Sequence, residues 1–275
     1  MSVQWLGRCA VASMPGVTES QFQILRIAGF VAAAGFALGL QWLRPHARLH
    51  GSGPVNAGLW LINAALLSAV CGACACMVAR WAAGHGVGFL NRLTAPSSIA
   101  VPLTIVGLDL VSYGWHRANH RVTFLWGFHQ VHHSDLGFTV STGVRFHPGE
   151  LLLSLPIRLA AVATLGAPPV AVVIFEVVFT IANLFEHGNI GLPLWLEQQL
   201  GRLLVTPALH RRHHTRRYPE LDSNFGTIFT LWDRWLGTYG ESTSAVHVDT
   251  GLPSGEYVPN VLRALLLPLR VQRQR

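Results

Sequence analysis

The chain has 275 residues, of which 51% are hydrophobic and only 12% are charged, with a net charge of +7 and a pI near 10. Soluble domains carry about a quarter charged residues, so this composition favours a membrane protein with several apolar segments. All 20 basic residues are arginines, which excludes chemistry that needs a lysine. They lie beside apolar segments rather than in a basic stripe with interleaved aromatic residues, so we predict contact with membrane lipids and no nucleic-acid partner.

Apolar runs follow one another along the chain. A membrane-spanning helix needs about 20 apolar residues, and four runs approach or exceed that length: 22–43, 57–79, 97–115 and 151–185. The last run is interrupted by Gly166-Ala-Pro-Pro169, which predicts a helical hairpin that enters the membrane and returns. A short apolar patch at 261–269 is expected at the membrane interface. The N-terminus lacks a basic region followed by an apolar core, so no cleaved signal peptide is predicted.

Cysteines in the second run have two interpretations. Cys71, Cys74 and Cys76 lie among alanines and a glycine, a pattern typical of small residues that pack a membrane helix. The C-x-x-C spacing of the first two also allows a metal site. Helix packing is the favoured interpretation.

Eight histidines fall into three short clusters, one with the spacing H-x-x-x-H and two with H-x-x-H-H. Residues three and four apart lie on one face of a helix, so each cluster predicts imidazoles on one side of a helix. Imidazole is a common neutral metal ligand, and eight are enough for two ions. The clusters are His116 and His120; His129, His132 and His133; and His210, His213 and His214.

Three other polar residues stand out within or beside the apolar runs. Asp109 lies two helical turns before His116 and hence on the same face, and a carboxylate in an apolar helix is a candidate for a functional role. We predict that it supports the ligands from behind; helix capping and pairing with an arginine are alternatives. His187 is a ninth potential ligand, and Asn183 lies one turn before it on the same face.

The histidine spacing limits the chemistry. A hydrolytic zinc site uses three protein ligands and a general base, but the chain has no H-E-x-x-H and more histidines than one zinc needs. Soluble di-iron proteins use glutamates with E-x-x-H, which is also absent. An all-imidazole site for two metals remains, and its electron-poor metals would suit oxygen activation. A membrane zinc hydrolase, a histidine-rich metal-binding or transport protein and a bis-histidine heme protein stay as alternatives.

The three clusters resemble the histidine boxes of the fatty acid hydroxylase/sterol desaturase superfamily of integral-membrane di-iron oxygenases. The resemblance covers roughly residues 100–240 and includes Asp222-Ser-Asn-Phe-Gly226 and Leu231-Trp-Asp-Arg-Trp-Leu-Gly-Thr-Tyr239. Acyl-CoA desaturases have a much longer gap between the first two boxes. The eight residues between His120 and His129 therefore favour the hydroxylase/sterol branch.

The resemblance implies an all-α protein: polytopic membrane helices with a helical cap on the cytosolic face that carries the histidine boxes. It implies two iron ions, O2 as co-substrate and a lipid-like substrate that is hydroxylated or desaturated. It also implies a separate electron donor, such as a ferredoxin, cytochrome b5 or a reductase. His187 matches a family ligand, and Asn183 stands where some members have a histidine. His147 is a candidate for a supporting position behind the ligands, with a ligand or substrate-facing position as the alternative, and Asp233 is a further candidate for a supporting position.

Counting membrane crossings predicts that all three clusters reach one membrane face. Arginines near that face, Arg44 and Arg48 in one loop, place it in the cytoplasm by the positive-inside rule, and a bacterial inner membrane is the expected location. Four more arginines can dock an acidic electron donor or a lipid headgroup, or can simply be solvated: Arg211, Arg212, Arg216 and Arg217. We divide the chain into N-terminal membrane helices with a connector (1–95), a di-iron domain (96–240) and an interfacial tail (241–275).

Overall fold

The computed structural model describes residues 19–48, 52–71, 74–241 and 248–270. Within these ranges the prediction of an all-α protein is confirmed, because no β-strand forms and only isolated bridges occur. Three short 3-10 helices cover Val140–Val144, Glu220–Asp222 and Leu267–Arg270. The α-helices are α1 (Glu19–Leu43), α2 (Gly53–Cys71), α3 (Cys74–Gly84), α4 (Phe89–Arg92), α5 (Ser97–Arg121), α6 (Thr123–His133), α7 (Pro148–Leu165), α8 (Pro169–Glu186), α9 (Leu194–Leu200), α10 (Pro207–His213), α11 (Leu231–Trp235) and α12 (Val261–Leu266).

Three of the described helices are long and apolar enough to cross a membrane: α5, α7 and α8. Shorter apolar segments occur in α1 and α2, at Ile27–Leu43 and Gly53–Leu67. The two helices of the predicted hairpin are present as α7 and α8, and their entry into the membrane stays a prediction. Gly166 ends α7 in the left-handed conformation with φ 66°, and Pro169 begins α8 with the fixed φ that suits a first helical position.

The apolar run at 57–79 is described as α2 up to Cys71 and as α3 from Cys74, and residues 72 and 73 lie outside the described residues. Helix α3 packs against both helices of the hairpin, and its buried residues there are small, including Ala75, Cys76 and Ala79. Small side chains let helix backbones approach closely. The small residues of α3 therefore allow it to pack closely against both helices. Cys71 belongs to α2, but its side chain lies outside the described residues.

One end of the three long helices carries the histidines. The C-terminus of α5, the N-terminus of α7 and the C-terminus of α8 meet there, and α6 and α10 pack over them. The loop with Arg44 lies at the same end, because its backbone pairs with residues just after α8: the N–H of His46 donates to the carbonyl of Asn189 (3.1 Å), and the N–H of Gly191 donates to that of Arg44 (2.8 Å). The arginine loop and the histidines therefore share one end of the helix bundle.

The C-terminal segment packs beside the histidine-carrying end of the helices. Helix α12 and the 3-10 helix after it pack against α2 and α6, with Ala264 and Leu267 buried. Leu262 and Leu269 remain 65% and 81% exposed. The apolar patch is thus helical with one exposed apolar side, and its interfacial position stays a prediction.

Candidate metal centre

Local sequence explains why each histidine cluster lies on a helix. In the third cluster, Thr206 caps the N-terminus of α10 and Pro207 occupies its first position, both favoured there. His210 and His213 belong to this short helix and His214 follows as its C-cap. The first cluster ends α5 and the second ends α6. The prediction that each cluster is helical is confirmed.

All nine candidate ligand histidines come together in two groups, and in each group one potential ligand atom per residue lies within 4.8 Å of the others. Most of these side chains are buried, and none is exposed. The first group is His116, His120, His129, His133 and His213; the second group is His132, His187, His210 and His214.

Each H-x-x-H-H box contributes to both groups. In α6, His129 and His133 are one turn apart and belong to the first group, whereas His132 belongs to the second. Neighbouring residues project about 100° apart around a helix, and the ring planes of His132 and His133 lie 87° apart. At the third box the pattern is reversed: His210 and His214, four residues apart, join the second group, and His213 joins the first. The single face expected for each cluster is thus divided between two positions.

Hydrogen bonds behind the first group determine which ring nitrogens face inward. Nδ1 of His116 donates to the carbonyl of Phe225 (2.9 Å), and Nδ1 of His213 donates to that of Ser223 (2.7 Å). A carbonyl only accepts, so these rings carry their proton on Nδ1 and have a lone pair on Nε2. Within the described residues, both Nε2 atoms are buried without a hydrogen-bond partner. Buried lone pairs held in this way fit a metal ion.

The second group contains ring nitrogens in unusually close contact. Nε2 of His187 lies 3.0 Å from Nε2 of His132 and 2.9 Å from Nε2 of His210. Nδ1 of His187 donates to the carbonyl of Asn183 (2.7 Å), so its Nε2 offers a single lone pair. Without a metal ion, Nε2 of His132 and Nε2 of His210 would both have to donate a hydrogen bond to this one lone pair of His187. A metal ion would also hold such nitrogens together, since metal–imidazole distances are about 2.0–2.1 Å.

The low pKa values of two histidines at the third box favour metal binding. Burial, and the nearby charge of His129, lower the pKa of His213 to about 3. Burial and the neighbouring histidines also lower the pKa of His214 well below its ordinary value. Both rings are therefore neutral near pH 7, the form that binds metals. A set of neutral imidazoles suits iron, zinc or copper.

Two buried carboxylates at the centre were not predicted from the sequence. Glu150, in the first turn of α7, accepts from Nδ1 of His129 at 2.9 Å. Glu186, which ends α8 and is 1% exposed, has its carboxylate oxygens 3.8 Å from Nδ1 of His187 and of His210. Each histidine group thus has one carboxylate beside it. The signal that singled out Asp109, a carboxylate in an apolar helix, would also have found these two.

Asp109 and Asp233 hold a loop that supports the first group. Asp109 accepts hydrogen bonds from two backbone N–H groups, of residues 228 and 229, and from Nε1 of Trp232 at 2.8 Å. Asp233 accepts from the N–H of Phe225 and of the following glycine, both at 2.8 Å. The carbonyl of Phe225 in turn holds His116. The structure therefore places both aspartates one step behind the histidines, through this loop.

His147 and Asn183 have different positions. His147 caps α7, where its Nδ1 accepts from the N–H of Gly149 (2.9 Å) and its Nε2 lies 3.2 Å from the carbonyl of Leu265. It belongs to neither histidine group. The side chain of Asn183 donates to the carbonyl of Gly143 (2.7 Å), while the backbone carbonyl of Asn183 accepts from Nδ1 of His187.

The four arginines around the third box are not equivalent. Arg211 is 3% exposed, donates to the carbonyl of Ile190 and lies over the ring of Phe138. Arg212 is half-buried and lies 3.9 Å from the carboxylate of Glu220. Arg217 is exposed. Burial therefore removes Arg211 from any docking surface.

A cavity of ≈ 170 Å³ opens onto the histidines of both groups from between α5, α7 and α8. Its walls include Val111, Trp115, Ile157 and Phe179, and Glu150 and Glu186 also line it. The cavity therefore joins both groups to a mostly apolar space between the candidate membrane helices.

Comparison with known proteins gives consistent matches. Residues 101–238 match the family model described as fatty acid hydroxylase. The chain is 30% identical over 173 residues to the ornithine lipid hydroxylase OlsE of Rhizobium tropici, covering 63% of this chain and 51% of that protein. It is 29% identical over 178 residues to the alkylglycerol monooxygenase of Danio rerio, with 62% and 37% covered, and 27% identical over 139 residues to the cholesterol 25-hydroxylase of Rattus norvegicus, with 50% and 46% covered. The chain spans about half the length of these relatives or less. No solved structure gives a significant match.

Proposed function

This chain belongs to the fatty acid hydroxylase family, and we propose that it is a membrane-bound di-iron oxygenase that hydroxylates or desaturates a lipid-like substrate. The observation that carries the proposal is a mostly apolar cavity that reaches both histidine groups from between the candidate membrane helices. The relatives are named for action on an ornithine lipid, an alkylglycerol and cholesterol. Those names support a lipid as the substrate class.

We assign one iron ion to each histidine group. When bound, the pair of irons supplies the activation of O2 for attack on a C–H bond. The protein turns the Nε2 atoms of four of these rings inward by hydrogen bonds from Nδ1 to Phe225, Ser223, Asn183 and Glu150. These bonds also fix the orientation of the rings, so the ligand set is organised before metal binding.

The cavity walls determine what can reach the site. The apolar side chains of Trp115, Ile157 and Phe179 suit a hydrocarbon chain and exclude water. Access between α5, α7 and α8 suits a substrate that enters from the bilayer. At the inner end of the same cavity, Glu150 accepts a hydrogen bond from His129, and a carboxylate oxygen of Glu186 lies 3.8 Å from Nδ1 of His210.

The remaining parts of the proposal concern partners and location. Electrons would come from a separate donor, such as a ferredoxin, cytochrome b5 or a reductase, and the exposed Arg217 near the cap can contribute to its docking. The loop with Arg44 lies at the same end as the histidines, which supports a cytoplasmic site by the positive-inside rule. A bacterial inner membrane and the domain division at residues 95 and 240 stay predictions.

The deciding experiment measures metal and oxygen together. The full chain is purified in detergent after growth with iron, its metals are quantified, and lipids from cells that produce it are analysed after growth under heavy-isotope O2. We expect iron as the bound metal and a lipid that carries one heavy oxygen or a new double bond. Zinc as the bound metal, with no oxygen-dependent change in the lipids, would instead support the membrane hydrolase.

A further inference from the structure

One charged residue lies in the cavity away from the histidines. Arg158 lines it together with Ser154, one turn earlier on the same face of α7. It is the eleventh of the 18 residues of α7, near the middle of a candidate membrane-spanning helix. Arginine keeps its charge in proteins, so this helix brings a permanent positive charge to the cavity wall.

Arg158 has no anionic partner among the described residues. Its guanidinium lies 5.8 Å from the ring of Phe179, and it takes part in none of the ion pairs or hydrogen bonds that the described residues form. The two carboxylates that line the same cavity, Glu150 and Glu186, lie beside the histidines. A charged side chain within a membrane is costly unless it is paired or faces a polar space, and it is a candidate for a functional role.

We propose that Arg158 binds an acidic group of the substrate, a carboxylate or a phosphate, and so selects acidic amphiphiles. This inference rests on the proposed function and adds the chemical class of substrate. The planar guanidinium donates two parallel hydrogen bonds to either group. The apolar walls around it accept the hydrocarbon part of the same molecule.

The position of Arg158 also fits a molecule that reaches from it to the irons. Glu150 contacts His129 at the inner end of the cavity, and Arg158 follows Glu150 by eight residues on the same helix. At 1.5 Å per residue this separates their backbones by about 12 Å along α7. Long helical side chains lean toward the helix N-terminus, which is the end of α7 where the histidines lie. An acidic group held by Arg158 therefore lies within one molecule's length of the reacting C–H bond.

The test is equilibrium binding, which needs no turnover. The full chain, loaded with iron in phosphatidylcholine nanodiscs, is titrated with three probes of equal chain length: hexadecanoate, hexadecyl phosphate and hexadecanol. We expect the wild type to bind at least one acidic probe about tenfold more tightly than hexadecanol, the scale of a charge-assisted hydrogen-bonded pair. The tighter of the two acidic probes identifies the acidic group.

Variants assign the preference to this residue. Arg158→Gln is expected to weaken binding of the preferred acidic probe about tenfold and to leave hexadecanol binding unchanged. Arg202→Gln removes an exposed positive charge outside the cavity and should change neither. If Arg158→Gln does not accumulate, Arg158→Lys serves instead: it keeps the charge but loses the paired donors, and the acidic preference should fall without disappearing.

Two results would overturn the inference. One is a wild type with no preference for either acidic probe; the other is an Arg158 variant that loses hexadecanol binding as strongly as acid binding. Iron content and heavy-oxygen incorporation are measured on the same wild-type preparation. If the enzyme binds iron and is active but shows no preference for acidic probes, only the assignment of Arg158 is wrong. If the wild type binds no iron and incorporates no heavy oxygen, the proposed function itself is wrong.

Discussion

Glu150 accepts a hydrogen bond from Nδ1 of His129 across 2.9 Å, and both side chains are buried. The same carboxylate oxygen accepts from the side chain of Asn119 at 3.0 Å. The carboxylate thereby fixes the proton of His129 on Nδ1 and turns Nε2, which has no hydrogen-bond partner among the described residues, toward the first histidine group. A carboxylate behind a histidine ligand orients the ring and raises its basicity.

Removing this carboxylate should weaken the metal site without removing a ligand. We expect Glu150→Ala to lower metal affinity at the first group by about 10- to 100-fold, the usual effect of losing such a partner. Glu150→Gln keeps an acceptor oxygen but not the charge, so its loss should be smaller. The measurement is metal retained during titration with a chelator, and Glu256→Gln, which neutralises a half-exposed carboxylate near Arg270, is the control. Equal retention in Glu150→Ala and the control would rule out this role.

Two adjacent residues on α6 should affect different metal ions. His133 belongs to the first group and His132 to the second, so alanine at either position should remove one ion of the pair. The double variant His132→Ala/His133→Ala should then lose both ions. His133→Ala/His213→Ala, with both changes in the first group, should keep one. Metal content per chain is measured by elemental analysis.

The exposed His85 supplies the matched control, since His85→Ala removes an imidazole outside both groups. Its metal content should equal that of the wild type. If the two double variants lose the same amount of metal, the assignment of His132 and His133 to separate ions is wrong.

The sequence predicted the helices and the ligand candidates because both depend on local spacing. Apolar runs gave α5 and the hairpin, and the i, i+3, i+4 pattern gave the helical clusters. The same spacing suggested one face per cluster. It could not show that His132 and His133 belong to different groups. Neighbouring residues project about 100° apart around a helix, and this difference assigns them to separate groups only when histidines from other helices lie on both sides.

Contacts between distant parts of the chain could not be predicted from spacing. The carbonyl of Phe225, which holds His116, lies 109 residues away in sequence, and backbone carbonyls carry no residue-specific signal. For Asp109 the sequence gave the correct helix face but not the partners, because its donors lie in a loop about 120 residues later.

Variants in the contacts that hold the loop behind His116 should separate an effect on stability from an effect on metal binding. Trp232, 5% exposed, donates to Asp109 at 2.8 Å. Trp232→Phe removes this hydrogen bond and leaves a cavity where the larger indole packed, so it should lower the free energy of unfolding by about 2–3 kcal/mol. Asp109→Asn turns an N–H group toward backbone donors that need an acceptor, so we expect a loss of about 2–3 kcal/mol. Thermal unfolding in detergent measures both, and Trp235→Phe, at a position that is 71% exposed, should change little.

The metal affinity of each group then shows whether Asp109 positions the ligands or only contributes to folding. Asp109→Asn loosens the loop whose carbonyl at Phe225 orients His116, so metal affinity at the first group should fall while the second group is retained. Trp232→Phe leaves Asp109 two backbone donors and should keep both metals. Because the two groups are separate sets of residues, selective loss from the first would trace the effect through the loop to His116. Equal loss from both groups in Asp109→Asn would mean that this aspartate only stabilises the fold.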